Sequence, residues 1–494
     1  MFREVLFADP WHAEALTGLC QALESLGRSD EAVPFLDRAL GTGSEPPDQT
    51  ELDAAWQCFT LGQIDEALAI YKRATTGALA EAAHAAISVI IPGSPRADNL
   101  AILKARRTWA DRYLPVPRPA CFRPGSQSSG PQLRIGYVSS FLQYENWMKP
   151  VWGLINQHDR SSFQIHLFSD APLEDIGDGF RRHPDDCFHD ISGLENDAVA
   201  EMIEQAEIDL LVDLNGYSRK ERLPIFALRP APIIVGWFNL YATTGISAFN
   251  YLIGDYVVIP TEEEQFYCEH IVRVPGCYMT FEVAYPVPDV AVLPCSVTNQ
   301  FTFGCLAPLY KVTGETVAAW SRILRGAPGS VLVLRSSALA SPTAVEFVHA
   351  LFRQHEIPGE RYRLYGPGEH FEFLKTYNEI DLALDTFPYN GGTTTSEAIW
   401  QGVPVLAFHG DRWVARISAS ILRAANLGRF VCQSLDEYVA TAISLAKSQD
   451  RCEVLGELRL HMRSRLGQSP VCDTVAFARD MEQIYRRMVR TALR

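Results

Sequence analysis

Residues 385–397 combine glycine, hydroxyl and carboxyl groups at a spacing that suits the binding of an anion. The stretch reads DTFPYNGGTTTSE, so an apolar run ends at Asp385, a glycine turn follows, and a helical pattern begins among the threonines. Glycines let the backbone approach a ligand closely, and free N–H groups at a helix N-terminus favour a phosphate. An ordinary capped turn is the alternative that this spacing alone leaves open. The candidate binding residues are Gly391, Gly392, Thr393, Thr394 and Thr395, which would hold the anion, and Glu397, which could accept a hydrogen bond from a sugar hydroxyl.

Apolar runs on both sides of this stretch predict the strands that position it. The runs at 382–384 and 403–408 are short and apolar, which is typical of buried parallel strands. Similar runs alternate with helical patterns through 131–290 and again through 298–494, and this alternation predicts two doubly wound α/β lobes. The predicted strands are 133–139, 163–170, 208–216, 232–238 and 251–259 in the first lobe, and 300–306, 330–336, 361–366, 380–385, 403–408 and 429–434 in the second. Residues 434–494 predict amphipathic helices that pack back on the first lobe.

The composition excludes several classes of protein. The 494 residues are 47% hydrophobic and 21% charged, and the formal net charge is −15 without a basic run, which argues against a nucleic-acid partner. Eleven scattered cysteines form no CxxC pair and no cluster at zinc spacing, so we expect free thiols, no metal site and a reducing compartment. No signal-peptide core or membrane-spanning run is found, so the expected location is the cytoplasm.

The first part of the chain contains a short internal repeat. Residues 12–40 align with 49–74, and Leu26-Gly27 recurs as Leu61-Gly62, which is an offset of 35 residues. This period and the small residues at the helix contacts are typical of tetratricopeptide repeats. The repeats would either hold a protein partner or merely cover the next domain. Helical sequence continues over 79–113, and the Pro-, Gly- and Ser-rich residues 114–130 form a linker by composition.

The string DTFPYNGGTTTSEAIWQGVPV resembles the donor-binding signature of the O-linked N-acetylglucosamine transferases and their plant SPINDLY relatives, which form glycosyltransferase family 41. The segments LNGYSRKERLPIFALRPAPI and PTEEEQFYCEHIVRVPGCYM resemble the same family. The resemblance implies a two-lobe fold of the GT-B type, with two Rossmann-like domains after an all-α repeat segment. The expected divisions are repeats and joining helices over 1–113, a linker over 114–130, the first catalytic lobe over 131–290, and the nucleotide-sugar lobe with C-terminal helices over 298–494.

The resemblance also assigns roles to single residues. Lys311 stands where the family has its catalytic lysine, and a lysine at this edge of a sheet can neutralise a diphosphate leaving group. Tyr310, which precedes it in the motif, is expected to contact the nucleotide sugar. Phe373 stands where many relatives stack a histidine on the base, with His370 as an alternative. The sugar pocket is expected at Asn239, Leu240 and Tyr389.

This chain departs from the family at two loops. Many relatives carry a loop of the type SSDFxxHP after the first strand, whereas residues 139–150 contain no histidine. The family's WLGYPGTTG segment is WFNLYATTG here, with Asn239 and Tyr241 replacing glycine and proline, so the sugar is not fixed by the resemblance. Asp209, Asp213 and Glu145 are the carboxylates that could act as a base. The alternatives are that they are caps or surface carboxylates, and that a phosphate oxygen of the donor is the base.

The resulting hypothesis is an inverting, metal-independent glycosyltransferase without a cofactor. It would move a sugar, N-acetylglucosamine from UDP-N-acetylglucosamine in the first instance, onto serine or threonine hydroxyls of a protein acceptor held by the repeats. Three alternatives stay open: another donor such as GDP-fucose, a catalytically degenerate scaffold, and a sugar-nucleotide epimerase. Arg416 would either lie near the phosphates or form a salt bridge. The acceptor and the formation of a homo-oligomer are left open.

Overall fold

Four helices come first in the computed structural model, which describes residues 47–117 and 132–492. They are α1 (Gln49–Thr60), α2 (Ile64–Arg73), α3 (Ala80–Ile90) and α4 (Asn99–Tyr113). Asp48 caps α1 through a reciprocal pair of hydrogen bonds with Glu51. The helices pack through buried small and apolar residues such as Ala55 and Ala67. Helices α1 and α2 cover the predicted repeat at 49–74, whereas the predicted repeat at 12–40 lies outside the described residues.

The first lobe contains a seven-stranded parallel sheet with the strand order β3-β2-β1-β4-β5-β6-β7. Its strands are β1 (Leu133–Ser139), β2 (Phe163–Ser169), β3 (Cys187–Asp190), β4 (Leu210–Asp213), β5 (Ile233–Gly236), β6 (Tyr251–Gly254) and β7 (His270–Arg273). The helices between them are α5 (Glu145–Gln157), α6 (Asn196–Gln205) and α7 (Leu223–Ala227). Strands β4 and β5 are buried along their whole length, and β1 is buried from Ile135 onward, as expected for a sheet covered on both faces.

The second lobe contains a six-stranded parallel sheet with the order β10-β9-β8-β11-β12-β13. Its strands are β8 (Thr302–Cys305), β9 (Val331–Arg335), β10 (Tyr362–Tyr365), β11 (Leu382–Leu384), β12 (Val405–Phe408) and β13 (Val431–Cys432). The intervening helices are α8 (Pro294–Thr298), α9 (Gly314–Gly326), α10 (Pro342–Gln354), α11 (His370–Lys375), α12 (Thr393–Trp400) and α13 (Ile417–Ala424). The predicted fold of two doubly wound lobes is therefore confirmed.

Three helices end the chain: α14 (Leu435–Lys447), α15 (Arg451–Gly467) and α16 (Thr474–Ala492). Helix α16 returns to the first lobe, where Glu482 Oε1 accepts a hydrogen bond from the Asp159 backbone at 2.7 Å and lies 3.1 Å from His158 Nδ1. The prediction that the C-terminal helices pack back on the first lobe is confirmed for α16, whereas α14 and α15 pack on the second lobe, where Arg459 of α15 donates to the carbonyl oxygen of Ile380. Within the described residues, no helix is both long enough and apolar enough to cross a membrane.

Two strands and one helix break were not predicted. Strands β3 and β7 lie at the two edges of the first sheet and are only half-buried, so their residues form no apolar run. The continuous helical pattern at 79–113 is interrupted by a short 3₁₀ turn, Ile91–Gly93, which contains Pro92 and separates α3 from α4. Proline cannot donate to a helical hydrogen bond, which explains the break.

Candidate active site

Strands β8 and β11 are hydrogen-bonded neighbours at the point where the strand order of the second sheet reverses. In open α/β sheets, ligands bind outside the carboxyl ends of the strands at such a switch point. The segment after β8 leads to Lys311, and the segment after β11 leads to the glycine turn. Lys311 Nζ donates a hydrogen bond to the carbonyl oxygen of Asn390 at 2.9 Å. The sheet topology therefore brings together the lysine and the turn, which are 80 residues apart in sequence.

Lys311 is largely buried and has aromatic and acidic neighbours. Its side chain is 9% exposed, and Nζ lies 4.0 Å from the centre of the Tyr389 ring. Burial lowers the pKa of Lys311 to about 8, and the charge of Asp385 opposes this shift. Burial in turn raises the pKa of Asp385 to about 6, although this carboxylate accepts hydrogen bonds from the backbone of Thr386 and Gly391. A cation and a carboxyl group thus lie beneath the same turn.

The turn leaves the start of α12 without a side-chain cap. A Cβ on Gly391 would lie only 2.6 Å and 2.7 Å from the hydroxyls of Thr395 and Thr394, so a larger residue would disrupt the turn. Thr395 points into the protein, where its Oγ1 lies 2.7 Å from Ser418 Oγ. Thr393 and Thr394 are half-buried. Among the three threonines, these two remain accessible beside the uncapped N–H groups of the helix.

Glu397 forms a buried ion pair with Lys149, a residue of α5 in the first lobe. Lys149 Nζ lies 2.7 Å from Glu397 Oε1, and the two side chains are 2% and 5% exposed. His370 Nε2 lies 2.8 Å from the same ammonium and 3.3 Å from the same carboxylate oxygen, and the Tyr285 ring centre lies 3.9 Å from Nζ. Burial raises the pKa of Glu397, but the contacts with His370 and Lys149 outweigh it and leave this pKa below its usual value.

Lys149 was not among the predicted site residues. It directly precedes Pro150, at the end of the loop in which relatives carry a His-Pro pair. Lys149 therefore stands where relatives have the histidine, and this position could have identified it as a site residue. Phe373 lies next to this cluster, because its ring stacks on that of His370 with 6.1 Å between centroids. The cluster of Lys149, Glu397, His370 and Phe373 lies one helical turn from the glycine turn, and we call it the glutamate cluster.

A cavity of about 570 Å³ lies between the N-terminal helices and the two lobes. Residues of both lobes line it, including the predicted Asn239, Leu240, Tyr310 and Tyr389 together with Tyr241. The three tyrosine rings adjoin one another, with centroid distances of 5.6 Å and 5.8 Å on either side of Tyr389. Asn239 donates from Nδ2 to the Asn215 carbonyl, whereas its buried Oδ1 has no hydrogen-bond partner in the described chain. The cavity can therefore offer a ligand the rings and hydroxyls of these tyrosines.

The candidate bases lie in three different settings. Asp209 accepts the backbone N–H of Arg134 beside the beginning of β1, so it lies at the amino ends of the strands of the first sheet. Asp213 is fully buried and accepts the N–H groups of Asn215 and Gly216, and burial raises its pKa to about 7. Glu145 is the first residue of α5.

Arg416 forms an ion pair with Glu263 of the first lobe at 2.5 Å, which agrees with the salt-bridge alternative. In the part of the chain that the structure describes, no group of three or more histidine, cysteine, aspartate or glutamate side chains could hold a metal ion.

Comparison with known proteins agrees with this geometry. The sequence profile of the family described as glycosyl transferase family 41 matches residues 116–283 and 276–481 of this chain. A rice protein named probable UDP-N-acetylglucosamine–peptide N-acetylglucosaminyltransferase SPINDLY is 29% identical over 396 residues, which cover 79% of this chain and 42% of the rice protein. The Arabidopsis thaliana protein SEC, of the same probable activity, is 30% identical over 389 residues, covering 76% of this chain and 38% of SEC. The chain thus spans about two fifths of the length of these relatives.

One solved structure matches nearly the whole chain. A mutant of the O-GlcNAc transferase of Thermobaculum terrenum superposes with a TM-score of 0.79 at 29% sequence identity. The match covers 99% of this chain and 93% of the other, so it includes the N-terminal helices as well as both lobes.

Proposed function

Since the chain belongs to glycosyltransferase family 41, we propose that it transfers N-acetylglucosamine from UDP-N-acetylglucosamine to serine or threonine hydroxyls of a protein, with inversion and without a metal ion. One observation supports this proposal above all: Lys311 Nζ donates a hydrogen bond to the Asn390 carbonyl oxygen at 2.9 Å. The cation therefore lies beside the N-terminus of α12, which has no side-chain cap. A diphosphate bound there would meet both a full positive charge and free N–H donors. The names of the relatives support the choice of donor and of a peptide acceptor.

In the proposed reaction, the acceptor hydroxyl attacks the anomeric carbon from the side opposite the leaving group. The bond between this carbon and the β-phosphate oxygen breaks, and its electron pair stays on the departing UDP. Lys311 and the N–H groups of α12 offset the negative charge that develops, and one such contact contributes about 3 to 4 kcal/mol to lowering the barrier. A phosphate oxygen of the donor accepts the proton of the hydroxyl. A phosphate oxygen is the better base than Asp213, because the carboxylate of Asp213 already accepts hydrogen bonds from two backbone N–H groups.

The glutamate cluster and the cavity fit the two ends of such a donor. Phe373 and His370 offer ring faces for a base next to Glu397, whose carboxylate suits a ribose hydroxyl. On the other side of Lys311, the cavity with Asn239, Leu240 and Tyr389 would take the sugar and the acceptor segment. The departure at Asn239 leaves another sugar, such as fucose from GDP-fucose, as the second donor to test.

The test replaces Lys311 with methionine, which keeps the length of the buried side chain but removes its charge. Wild type and variant are incubated with UDP-N-acetylglucosamine, GDP-fucose and a cell lysate, and the protein products are weighed by mass spectrometry. We expect Lys311→Met to lower transfer at least about 100-fold while the far-ultraviolet circular dichroism spectrum stays that of the wild type. Lys104→Met, at an exposed position of α4, is the matched control and should transfer normally.

Equal transfer by wild type and Lys311→Met would refute the assignment of Lys311. If the wild type neither transfers a sugar nor is stabilised by UDP or GDP in a thermal-shift assay, the degenerate scaffold is the correct alternative. That alternative has one observation in its favour, since Glu397 is already paired with Lys149.

A further inference from the structure

The turn between α1 and α2 packs directly against the segment that carries Lys311. Gly62 in this turn has φ of +82°, and a Cβ there would lie 2.3 Å from the carbonyl oxygen of Val312 and 3.3 Å from that of Leu309. Backbone therefore meets backbone at this contact, with no side chain between. Gly62 is also the glycine of the internal repeat, where it occupies the position equivalent to Gly27. A residue expected to shape the repeat thus also touches both ends of the lysine segment, which we define as residues 309–312.

A second contact runs through aromatic side chains. Phe59 near the end of α1 packs on Tyr310, with 5.2 Å between ring centroids. Tyr310 in turn meets Tyr389 edge-on at 5.8 Å, and the Tyr389 ring centre lies 4.0 Å from Lys311 Nζ. These rings form a continuous path from the first described helix to the ammonium group.

The lysine segment has few hydrogen bonds of its own. Leu309–Lys311 is a single 3₁₀ turn, and the backbone bonds within it are Lys311 N–H to Pro308 and Val312 N–H to Leu309. Outside the turn, the hydroxyl of Ser336 accepts the Leu309 N–H at 3.2 Å. Leu309 and Val312 are buried in the hydrophobic core, and Lys311 Nζ bonds to Asn390. Packing against α1 and α2 is a further constraint on where Lys311 lies.

The N-terminal helices are themselves fixed to both lobes. Arg106 of α4 is buried and donates from Nη1 to the carbonyl oxygens of Leu240 and Thr243, at 3.1 Å and 2.7 Å. Arg412 of the second lobe donates to the carbonyl of Ser94 at 2.9 Å. Because the helices are held at two further points, the turn at Gly62 can press the lysine segment into one position.

We propose that the turn between α1 and α2 positions Lys311, so that the repeat segment controls cleavage of the donor. This inference rests on the proposed function. Phe59 and Gly62 are positioning residues, because they act through the lysine segment and do not touch the reacting atoms. A displacement of a catalytic group by about 1 Å can cost about 100-fold in rate, so a small shift of this turn is sufficient to lower activity strongly.

The experiment separates positioning from acceptor capture by measuring release of UDP from UDP-N-acetylglucosamine. Release is followed with water as the only acceptor, and then with saturating amounts of an acceptor polypeptide identified in the lysate experiment. Gly62→Ala and Phe59→Ala are compared with the wild type in the full chain. We expect kcat to fall at least about tenfold in both assays. The Kd for UDP, measured by calorimetry, should rise as well, because Lys311 also contacts the diphosphate, but by no more than it rises in Lys311→Met.

Two control variants match these changes. Gly77→Ala adds the same methyl group at an exposed glycine with φ of +91° in the same helical segment. Gln57→Ala truncates an exposed side chain of α1, the helix that carries Phe59. Both controls should keep the wild-type kcat.

The pH dependence gives a readout that a merely structural role would not change. If Lys311 moves toward water in Gly62→Ala, its pKa rises from about 8 toward the usual 10.5, and the loss of kcat/KM at basic pH moves to higher pH with it. Variants that keep the wild-type kcat with saturating acceptor, and lose only acceptor affinity, would overturn the inference. A wild type that neither binds UDP nor releases it from the donor would instead refute the proposed function.

Discussion

Lys311 and Lys149 are two buried lysines with different partners, and this difference defines their expected behaviour. Lys311 contacts a neutral carbonyl and an aromatic ring, so its charge remains available to a bound anion. Lys149 is paired with a carboxylate at 2.7 Å, so its charge is already balanced. The first lysine suits the binding of a charged substrate, and the second suits the joining of the two lobes.

The Lys149–Glu397 pair predicts a large effect on stability. Lys149→Met would leave the carboxylate of Glu397 buried without its ammonium partner, so we expect the free energy of unfolding to fall by about 3 to 5 kcal/mol. The double variant Lys149→Met/Glu397→Gln should recover part of this loss, because it removes the buried charge. Chemical denaturation monitored by circular dichroism measures both values.

Lys375 supplies the control for this prediction. Its pair with Glu372 is mostly exposed, so Lys375→Met should cost less than about 1 kcal/mol. An equally small cost for Lys149→Met would show that the buried pair does not contribute to stability.

The lowered pKa of Lys311 predicts how nucleotide binding depends on pH. The protonated lysine binds the diphosphate, so the association constant for UDP should decrease as the pH rises above about 8, and this decrease should be absent in Lys311→Met. The effect on stability has the opposite sign: between about pH 8 and 10.5 the unfolded chain holds the proton that the native lysine has lost, so this group's contribution to stability increases with pH. Calorimetric titration with UDP from pH 6 to pH 9.5 measures the binding. An affinity that is constant across this range in the wild type would contradict the assignment.

At the scale of the elements, β8 and β11 explain how two distant segments form one site. Each is a short buried strand, and each ends at the same edge of the second sheet. The four inner strands of this lobe could be predicted from the sequence, because inner strands of a parallel sheet are apolar runs. The edge strands β10 and β13 were predicted as well, although Tyr362–Tyr365 is not a purely apolar run. The contact between Lys311 and the glycine turn follows from the order of these strands.

Other features of the site could not be predicted from local sequence. Lys149 and Glu397 are 248 residues apart, and no pattern within either helix indicates that they pair. The inward orientation of Thr395 depends on Ser418, a residue of α13. Strands β3 and β7 escaped prediction because edge strands need no apolar run. These features depend on tertiary contacts rather than on periodicity.

The glycine turn predicts a specific sensitivity at Gly391. A Cβ at this position would lie 2.6 Å from the Thr395 hydroxyl, so Gly391→Ala must displace the start of α12. We expect the affinity for UDP to fall at least about tenfold, which corresponds to about 1.4 kcal/mol, while the protein still folds. Gly314→Ala, at a helix start in the same lobe with no atom within 4 Å of the added methyl group, is the matched control for the calorimetric measurement. Equal UDP affinity in both variants would show that the turn does not contact the ligand.

At the scale of the whole molecule, the candidate site is assembled from three parts of the chain. The second lobe supplies Lys311 and the turn, the first lobe supplies Lys149 and Asn239, and the N-terminal helices contact the lysine segment through Gly62 and enclose the cavity. Helix α16 adds a further connection by returning from the second lobe to the first. A ligand that contacts both lobes should therefore stabilise the molecule against unfolding by about 2.7 kcal/mol at a concentration of 100 times its Kd.

The central claim is that Lys311 and the turn at 391–394 together hold the diphosphate of a nucleotide. Calorimetric titration of the wild type and of Lys311→Met with UDP and with uridine, which lacks the phosphates, tests it most directly. We predict that the wild type binds UDP at least about 100-fold more tightly than uridine, a difference of about 2.7 kcal/mol, and that Lys311→Met loses most of this difference while binding uridine unchanged. A wild type that binds both ligands equally, or a variant that keeps the full preference for UDP, would contradict the claim.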